Sequence, residues 1–128
     1  MVTVIAGIIE KDNKILIGRR GPGEKLSGLW EFPGGKLEDG ETHQECLKRE
    51  LKEEMGIDVK INDLVSEYVY EYPHISYQLY FYSVNQFEGE LQFHTHDKIE
   101  WVIPEQFDKY DFLPGDEPIL DTIRNKDA

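Results

Sequence analysis

Three glutamates near the middle of the chain have the spacing of a metal-binding cluster. Glu50, Glu53 and Glu54 stand at positions i, i+3 and i+4, so a helix through them presents three carboxylates on one face. Like charges at this spacing repel each other, and a divalent cation would remove the repulsion. Carboxylate oxygens suit Mg²⁺ or Mn²⁺. The alternative is a solvated helix face, because Lys48 and Lys52 give the segment an ordinary exposed composition.

The neighbouring residues add groups that can support such a cluster. Arg49 stands beside the glutamates and can orient a carboxylate through a bidentate contact. Glu41 lies near the expected start of the helix, shortly after the pair Gly34-Gly35. Glycines at that place let the backbone approach a metal or a phosphate closely.

The helix that must carry these residues is predicted from about Thr42 to Met55. Thr42 followed by Glu45 has the spacing of a capping box, and Gly56 supplies a C-terminal stop. Apolar residues recur every fourth position along one side, at Leu47, Leu51 and Met55. We therefore expect one side of the helix to pack on a core and another to present the carboxylates.

Segments rich in β-branched and aromatic residues surround this helix. A hairpin is predicted from residues 2–10 and 14–19, with its turn at 11–13. Further strands are predicted at 29–32, 57–70, 75–87 and 99–103, with a helical turn at 104–107 and a last helix at 118–123. Pro33-Gly34-Gly35 is expected to end the strand at 29–32. Strands mixed with one or two helices predict an α+β or α/β domain.

Length and charge bound the function. The chain has 128 residues, which predicts a single domain over 1–128. Its net charge of −12 argues against duplex nucleic acid or an anionic membrane as partner, but not against a small phosphorylated ligand. The apolar start at 2–6 favours a strand over a signal peptide, and the chain contains no membrane-length apolar run, so a cytoplasmic location is expected. The single cysteine, Cys46, excludes an internal disulfide and is expected in the core.

The spacing of the whole central segment resembles the Nudix box with no departure at any defined position. The matching residues are Gly35, Glu41, Arg49-Glu50-Leu51, Glu53-Glu54 and Gly56-Ile57. Outside the box, the chain is similar to the MutT-type branch of that family in order and spacing. Those matches are Arg19-Arg20, the run from Glu31 to Lys36, Glu100-Trp101 and Asp116-Glu117-Pro118.

The resemblance implies an α/β/α sandwich, with a mixed sheet and a loop–helix–loop metal site, that hydrolyses nucleoside diphosphates linked to another group. It implies Mg²⁺, with Mn²⁺ as a substitute, held by the Gly34 carbonyl and by Glu50, Glu53, Glu54 and Glu100. Glu41 and Arg49 correspond to the pair that supports the helix. Substrate-binding positions correspond to Arg20, Glu31, Lys36 and Asp116. Glu50 is the first candidate for the general base and Glu100 the second.

Asp116 bears on which nucleobase is recognised. The MutT-type branch reads oxidised guanine with an asparagine at this position, and a related branch that hydrolyses cytidine triphosphates has aspartate there. An ionised aspartate only accepts hydrogen bonds, which suits the amino group of cytosine. A protonated aspartate in a dry pocket can donate to a guanine. The plain structural alternative is that Asp116 caps the last helix.

The resemblance therefore predicts hydrolysis of nucleoside triphosphates to monophosphate and pyrophosphate, with 8-oxo-dGTP or cytidine nucleotides as substrates. The alternatives are an ADP-ribose or dinucleoside polyphosphate hydrolase and, in another class, a Nudix-fold sensor that binds a nucleotide without turnover. The expected partner is a small nucleotide, and the chain is expected to be a monomer or a homodimer. His94 and His96 are expected to be solvated in a charged loop rather than to bind zinc.

Overall fold

The structure is a computed structural model that describes residues 1–125. The last three residues of the predicted domain, 126–128, lie outside the described residues. The strands are β1 (Val2–Lys11), β2 (Lys14–Arg20), β3 (Trp30–Glu31), β4 (Gly34–Lys36), β5 (Asp58–Lys60), β6 (Leu64–Tyr72), β7 (Ile75–Val84), β8 (Gln86–Glu88) and β9 (His96–Val102). The α-helices are α1 (His43–Met55) and α2 (Glu117–Arg124), and two 3₁₀ helices cover Pro104–Lys109 and Pro114–Asp116. Within 1–125, none of the helices combines the length and apolar character needed to span a membrane.

The first two strands form a hairpin that opens towards one end. β1 pairs with β2 only beside the turn, where Glu10 faces Ile15 and Lys11 faces Lys14. Asp12 and Asn13 both have positive φ, as a tight two-residue hairpin turn requires. Further from the turn, β1 pairs with β4 and β2 pairs with β3. The segment that carries β3 and β4 therefore fills the gap between the two strands of the hairpin.

Two long-range pairings complete the main sheet. β7 lies parallel to β1 over eight residue pairs, and β6 pairs antiparallel with β7. On the other side, β9 pairs antiparallel with β2. β5 and β8 form a separate two-stranded sheet. The main sheet is therefore mixed, as predicted.

Helix α1 forms for the local reasons that the sequence contains. The hydroxyl of Thr42 accepts a hydrogen bond from the Glu45 amide at 3.1 Å, and the Glu45 carboxylate accepts one from the Thr42 amide at 2.9 Å. Gly56 ends the helix in the left-handed region with φ of 71°. The predicted stripe of Leu47, Leu51 and Met55 is fully buried together with Cys46, which is a core residue as expected.

Hydrophobic clusters cover both faces of the sheet. One cluster packs α1 against the sheet through its buried stripe. The other places Ile119 and Ile123 of α2, with Phe107 of the first 3₁₀ helix, against the opposite face. The sheet lies between helices, so the predicted α/β/α sandwich is confirmed.

Some strand boundaries differ from those predicted. The strands expected at 57–70 and 75–87 are each divided, because the side chains of Asn62 and Ser83 take backbone hydrogen bonds that would otherwise continue the strands. The strand predicted at 29–32 ends at Glu31, before Pro33-Gly34-Gly35 as expected, but Gly34-Gly35 also begins a further strand, β4. A Cβ atom on Gly34 would lie 2.1 Å from the Ile5 carbonyl oxygen, so the absence of a side chain permits this close pairing.

Candidate active site

The box glutamates face the segment that fills the open hairpin. Gly35 of β4 lies directly against Glu50 of α1, and a Cβ atom on Gly35 would be 2.2 Å from the carboxyl carbon of that side chain. The amide of Gly34 approaches the carboxylate of Glu54. The close packing of β4 on β1 thus brings the glycine backbone to the carboxylate face of α1.

Arg49 links several of the predicted acidic residues. Its Nε lies 2.7 Å from Glu41 Oε2 and its Nη2 lies 2.9 Å from Glu41 Oε1, which is a bidentate pair. Its Nη1 donates to Glu50 at 2.8 Å and to Glu53 at 3.4 Å, and its Nη2 donates to the Lys36 carbonyl at 3.2 Å. The hydrogen bonds from Arg49 lower the pKa of Glu41 to about 2 and raise the pKa of the guanidinium. Arg49 therefore fixes α1 to the loop before it.

Glu50 and Glu54 are carboxylates in surroundings that oppose their negative charge. Burial raises the pKa of Glu50 against the opposing effect of Arg49. The pKa of Glu54 is raised well above its ordinary value, mainly by burial and then by the charges of Glu31 and Glu50. Glu54 is only 7 % exposed, and its Oε2 has no hydrogen-bond partner among residues 1–125.

These residues fit a divalent cation. An unpartnered buried carboxylate oxygen is costly, and a cation beside it would satisfy the oxygen and lower the pKa of each neighbouring carboxyl group. Glu53, whose side chain is 60 % exposed, adds a third carboxylate on the solvent side of the same helix face. The chemistry of the donor set, oxygen throughout, favours a hard cation such as Mg²⁺ or Mn²⁺.

A second group of polar residues lies next to Glu54 and includes a histidine that sequence reasoning misplaced. The side chains of Glu31, Glu54 and His96 each offer a ligand-type atom, and these atoms lie within 4.8 Å of one another. His96 was expected in solvent, but β9 begins at this residue rather than at Ile99, and the ring packs against Gly18 with only 1 % of the side chain exposed. His94 instead contacts the Glu53 carbonyl oxygen through Nδ1 at 2.6 Å.

Glu31 connects this group to Arg20. Arg20 Nη1 lies 3.1 and 3.2 Å from the two oxygens of Glu31, and His96 Nε2 lies 2.8 Å from Glu31 Oε2. Arg20 also donates through Nε to the Lys25 carbonyl at 2.5 Å. Arg20 and Glu31, both predicted to bind substrate, therefore form a hydrogen-bonded ion pair.

Asp116 faces the same interior and does not cap the last helix. It stands at the N-cap position of α2, yet its side chain makes no capping hydrogen bond within the described residues. Its Oδ2 accepts a hydrogen bond from the Phe32 amide at 3.0 Å. Burial and then the charge of Glu31 raise the pKa of Asp116 to about 8, against opposition from the Phe32 amide and Arg20. The helix-cap alternative is therefore wrong.

The side chains of two further predicted residues make no hydrogen bond or ion pair with Glu31, Glu54 or Asp116 within residues 1–125. Lys36 is exposed at the end of β4. Glu100 stands between Ile99 and Trp101, which pack on the α1 side, so its side chain leaves β9 on the other face. The nearest cation to Glu100 among the described residues is Lys98, at 3.6 Å. The metal role of Glu100 stays a prediction.

Comparison with known proteins agrees with this arrangement. A model of the NUDIX domain family matches residues 4–122. The chain is 39 % identical to a CTP pyrophosphohydrolase of Escherichia coli K12, over 96 % of this chain and 91 % of the relative. It is 34 % identical to an 8-oxo-dGTP diphosphatase of the same organism, over 94 % and 95 % of the two chains. The solution structure of the E. coli ORF135 protein superposes with a TM-score of 0.88 at 37 % identity, covering 99 % of this chain and 93 % of that one.

Proposed function

The chain belongs to the Nudix hydrolase family, whose members generally use a divalent metal, and from this we propose that it hydrolyses nucleoside triphosphates to monophosphate and pyrophosphate with Mg²⁺. The proposed substrates are cytidine nucleotides or 8-oxo-dGTP. One relative is named for CTP and another for 8-oxo-dGTP, and each matches more than nine-tenths of the chain. All the box glutamates are present, which favours turnover over the sensor alternative.

One observation carries the proposal: the carboxylate face of α1 and the buried Asp116 meet at the same short segment. Glu54 approaches Gly34, and Asp116 accepts from the amide of Phe32, two residues earlier. A nucleotide with its phosphates at the glutamates can therefore reach Asp116 with its base. Arg20 and the exposed Lys36 are proposed to contact phosphate oxygens that the cation leaves unpaired.

The proposed roles of the acidic residues follow from their surroundings. When bound, the cation supplies positive charge to the phosphate oxygens and to the attacking water. Glu50 is proposed as the general base, because Arg49 holds its carboxylate against Gly35 on the helix face where the cation would bind. Arg49 holds Glu50 in place and Glu41 holds Arg49. Glu100 is the second candidate for the base.

Asp116 is proposed to select the nucleobase of the substrate. Its Oδ2 is engaged by the Phe32 amide, which leaves Oδ1 to contact a ligand. With a pKa of about 8, Asp116 is largely protonated at neutral pH, so Oδ1 can act as a donor as well as an acceptor. Ionised, it is an acceptor only and favours the cytosine amino group.

The test is a panel of substrates with Mg²⁺, assayed by release of pyrophosphate and phosphate. The panel holds the four common dNTPs, CTP, 8-oxo-dGTP, ADP-ribose and a diadenosine polyphosphate. We expect cytidine nucleotides or 8-oxo-dGTP to have the highest kcat/KM. Preference for ADP-ribose or the dinucleotide would refute the triphosphate assignment.

A matched variant tests the role of Asp116. Asp116→Asn fixes one donor and one acceptor whatever the pH. Above about pH 8, where wild-type Asp116 is ionised and only accepts, the variant's preference should therefore move from cytosine nucleotides towards 8-oxo-dGTP. Lys36→Ala is the comparison variant, because loss of a phosphate contact should weaken all triphosphates alike. Unchanged kcat/KM ratios in Asp116→Asn would remove Asp116 from base recognition.

A further inference from the structure

We propose that His96 is a positioning residue that holds the Glu31 carboxylate, and through it the Arg20 guanidinium, in the arrangement that receives the nucleotide. The inference rests on the proposed function for the role of Arg20 and Glu31. The contact between His96 and Glu31 is a property of the fold and can be measured without a substrate.

The His96 ring is fixed by one polar contact. Its side chain is 1 % exposed, and Nε2 lies 2.8 Å from Glu31 Oε2. Because an ionised carboxylate only accepts hydrogen bonds, Nε2 donates. Nδ1 is buried and has no hydrogen-bond partner within residues 1–125. Burying a ring nitrogen without a partner is unfavourable, so packing alone does not explain a histidine at this position.

The strand beside His96 is shaped to admit the ring. A Cβ atom on Gly18 of β2 would lie 2.6 Å from Cδ2, 2.7 Å from Cγ and 2.9 Å from Nε2 of His96. Any side chain at residue 18 would therefore displace the imidazole. The pairing of β2 with β9 also shifts register between Arg19 and Arg20, close to this contact. The regular pairing of β2 with β9 is thus interrupted close to the contact between the His96 ring and Glu31.

Nε2 of His96 donates to Glu31 rather than binding a cation. A metal-bound histidine normally donates its second ring N–H to an acceptor. If Nε2 bound an ion, the ring proton would move to Nδ1, for which the described residues provide no acceptor. Donation from Nε2 to Glu31 is the arrangement that leaves only a lone pair unpaired.

Glu31 needs such a partner because acidic groups surround it. Its negative charge acts on both Glu54 and Asp116, which are buried nearby. Two donors hold the carboxylate against this repulsion: Arg20, through the single nitrogen Nη1, and His96. Arg20 is also held through Nε by the Lys25 carbonyl at 2.5 Å and through Nη2 by Glu24 at 3.6 Å, so loss of His96 mainly frees the Glu31 carboxylate to turn. The contact of Glu31 with Nη1, which orients that end of the guanidinium towards the substrate, would then weaken.

The kinetic test compares two substitutions at one position. His96→Gln retains an N–H donor, whereas His96→Leu keeps bulk and removes the donor. We expect His96→Leu to lower kcat/KM by about 10- to 100-fold, the range of a hydrogen bond to a charged group, mainly through a higher KM. His96→Gln should restore most of the loss. In a Glu31→Ala background, His96→Leu should change kcat/KM by less than about threefold, which is the coupling expected of contacting residues.

A second measurement keeps the inference testable without turnover. Nitrogen-15 histidine NMR of the whole chain should show His96 protonated at Nε2, with a signal that changes markedly in Glu31→Ala. Identical His96 signals in wild type and Glu31→Ala would overturn the inference. So would equal kinetic defects in His96→Gln and His96→Leu, or an undiminished His96→Leu defect in the Glu31→Ala background. Absence of turnover for every nucleotide in wild type would refute the proposed function, and the NMR comparison would still decide the contact.

Discussion

Replacing Gly35 by alanine should disable the carboxylate face of α1 while the fold persists. The added Cβ would lie 2.2 Å from the Glu50 carboxyl carbon and 2.3 and 2.6 Å from its oxygens. Ordinary van der Waals contact begins near 3.4 Å, so the carboxylate must retreat by about 1 Å. The displaced atoms are the end of a flexible side chain, and their movement breaks the 2.8 Å contact with Arg49.

The size of the effect follows from the tolerance of such sites. Metal–ligand distances hold to within about 0.2 Å, and misplacement of a reacting group by about 1 Å costs roughly 100-fold in rate. We therefore expect kcat to fall roughly 100-fold. The strain of an off-rotamer side chain is about 1 kcal/mol, so the melting temperature should fall by only a few degrees.

Gly7→Ala is the matched control. Gly7 lies in β1, and the nearest atoms to a Cβ there are 3.6, 3.6 and 3.7 Å away, so the same chemical change meets no obstacle. Both variants are assayed by Mg²⁺-dependent pyrophosphate release and by thermal unfolding. Wild-type kcat in Gly35→Ala, or an equal loss in Gly7→Ala, would refute the reasoning about Glu50.

Three further variants probe the acidic groups. Glu54→Gln should abolish Mg²⁺-dependent turnover yet raise the melting temperature of metal-free protein at neutral pH, because it removes a buried carboxyl whose raised pKa makes ionisation unfavourable. The pKa of Asp116 is about 8 in the folded protein against an ordinary 3.8. Its contribution to the free energy of unfolding is therefore complete below about pH 4 and is lost as pH rises through about 8. Urea unfolding should show this decline in wild type and not in Asp116→Asn. Arg49→Lys keeps the charge but cannot form the two hydrogen bonds of 2.7 and 2.9 Å to Glu41, so kcat should fall about 10- to 100-fold. An unchanged kcat would contradict the role given to the bidentate pair of Arg49 and Glu41.

The sequence predicted those parts of the molecule that local interactions determine. The capping box at Thr42, the buried stripe of α1 and the stop at Gly56 lie within fifteen residues of chain and appear as expected. The β1–β2 turn is equally local. The family and the sandwich fold followed from the box, because its residues occupy fixed spacings along one helix and one loop.

What the sequence left undetermined depends on contacts between distant residues. His96 is 65 residues from Glu31, and nothing adjacent to it in the chain marks it as buried. The close approach of Gly34 to Ile5 likewise arises only when β4 meets β1. Asp116 was ambiguous between a cap and an interior group because its partner, the Phe32 amide, is 84 residues away. Gly18 follows the apolar residues of β2, and a glycine in a strand can indicate that a side chain from elsewhere, here His96, packs closely against it.

The parallel pairing of β1 with β7 has a consequence for how the chain reaches this structure. Val2 pairs with Tyr77, and Ile15 of β2 pairs with Val102 of β9, so both strands of the first hairpin find their long partners in the second half of the chain. Contacts of such high sequence separation place folding in the slower range of small domains, because the connecting chain must be ordered before the contacts form. During synthesis, α1 leaves the ribosome well before β7, so its apolar stripe has an incomplete sheet to cover. Asp116 joins Glu31 only after the C-terminal segment has been made, so the repulsion between these two groups opposes a late step of folding.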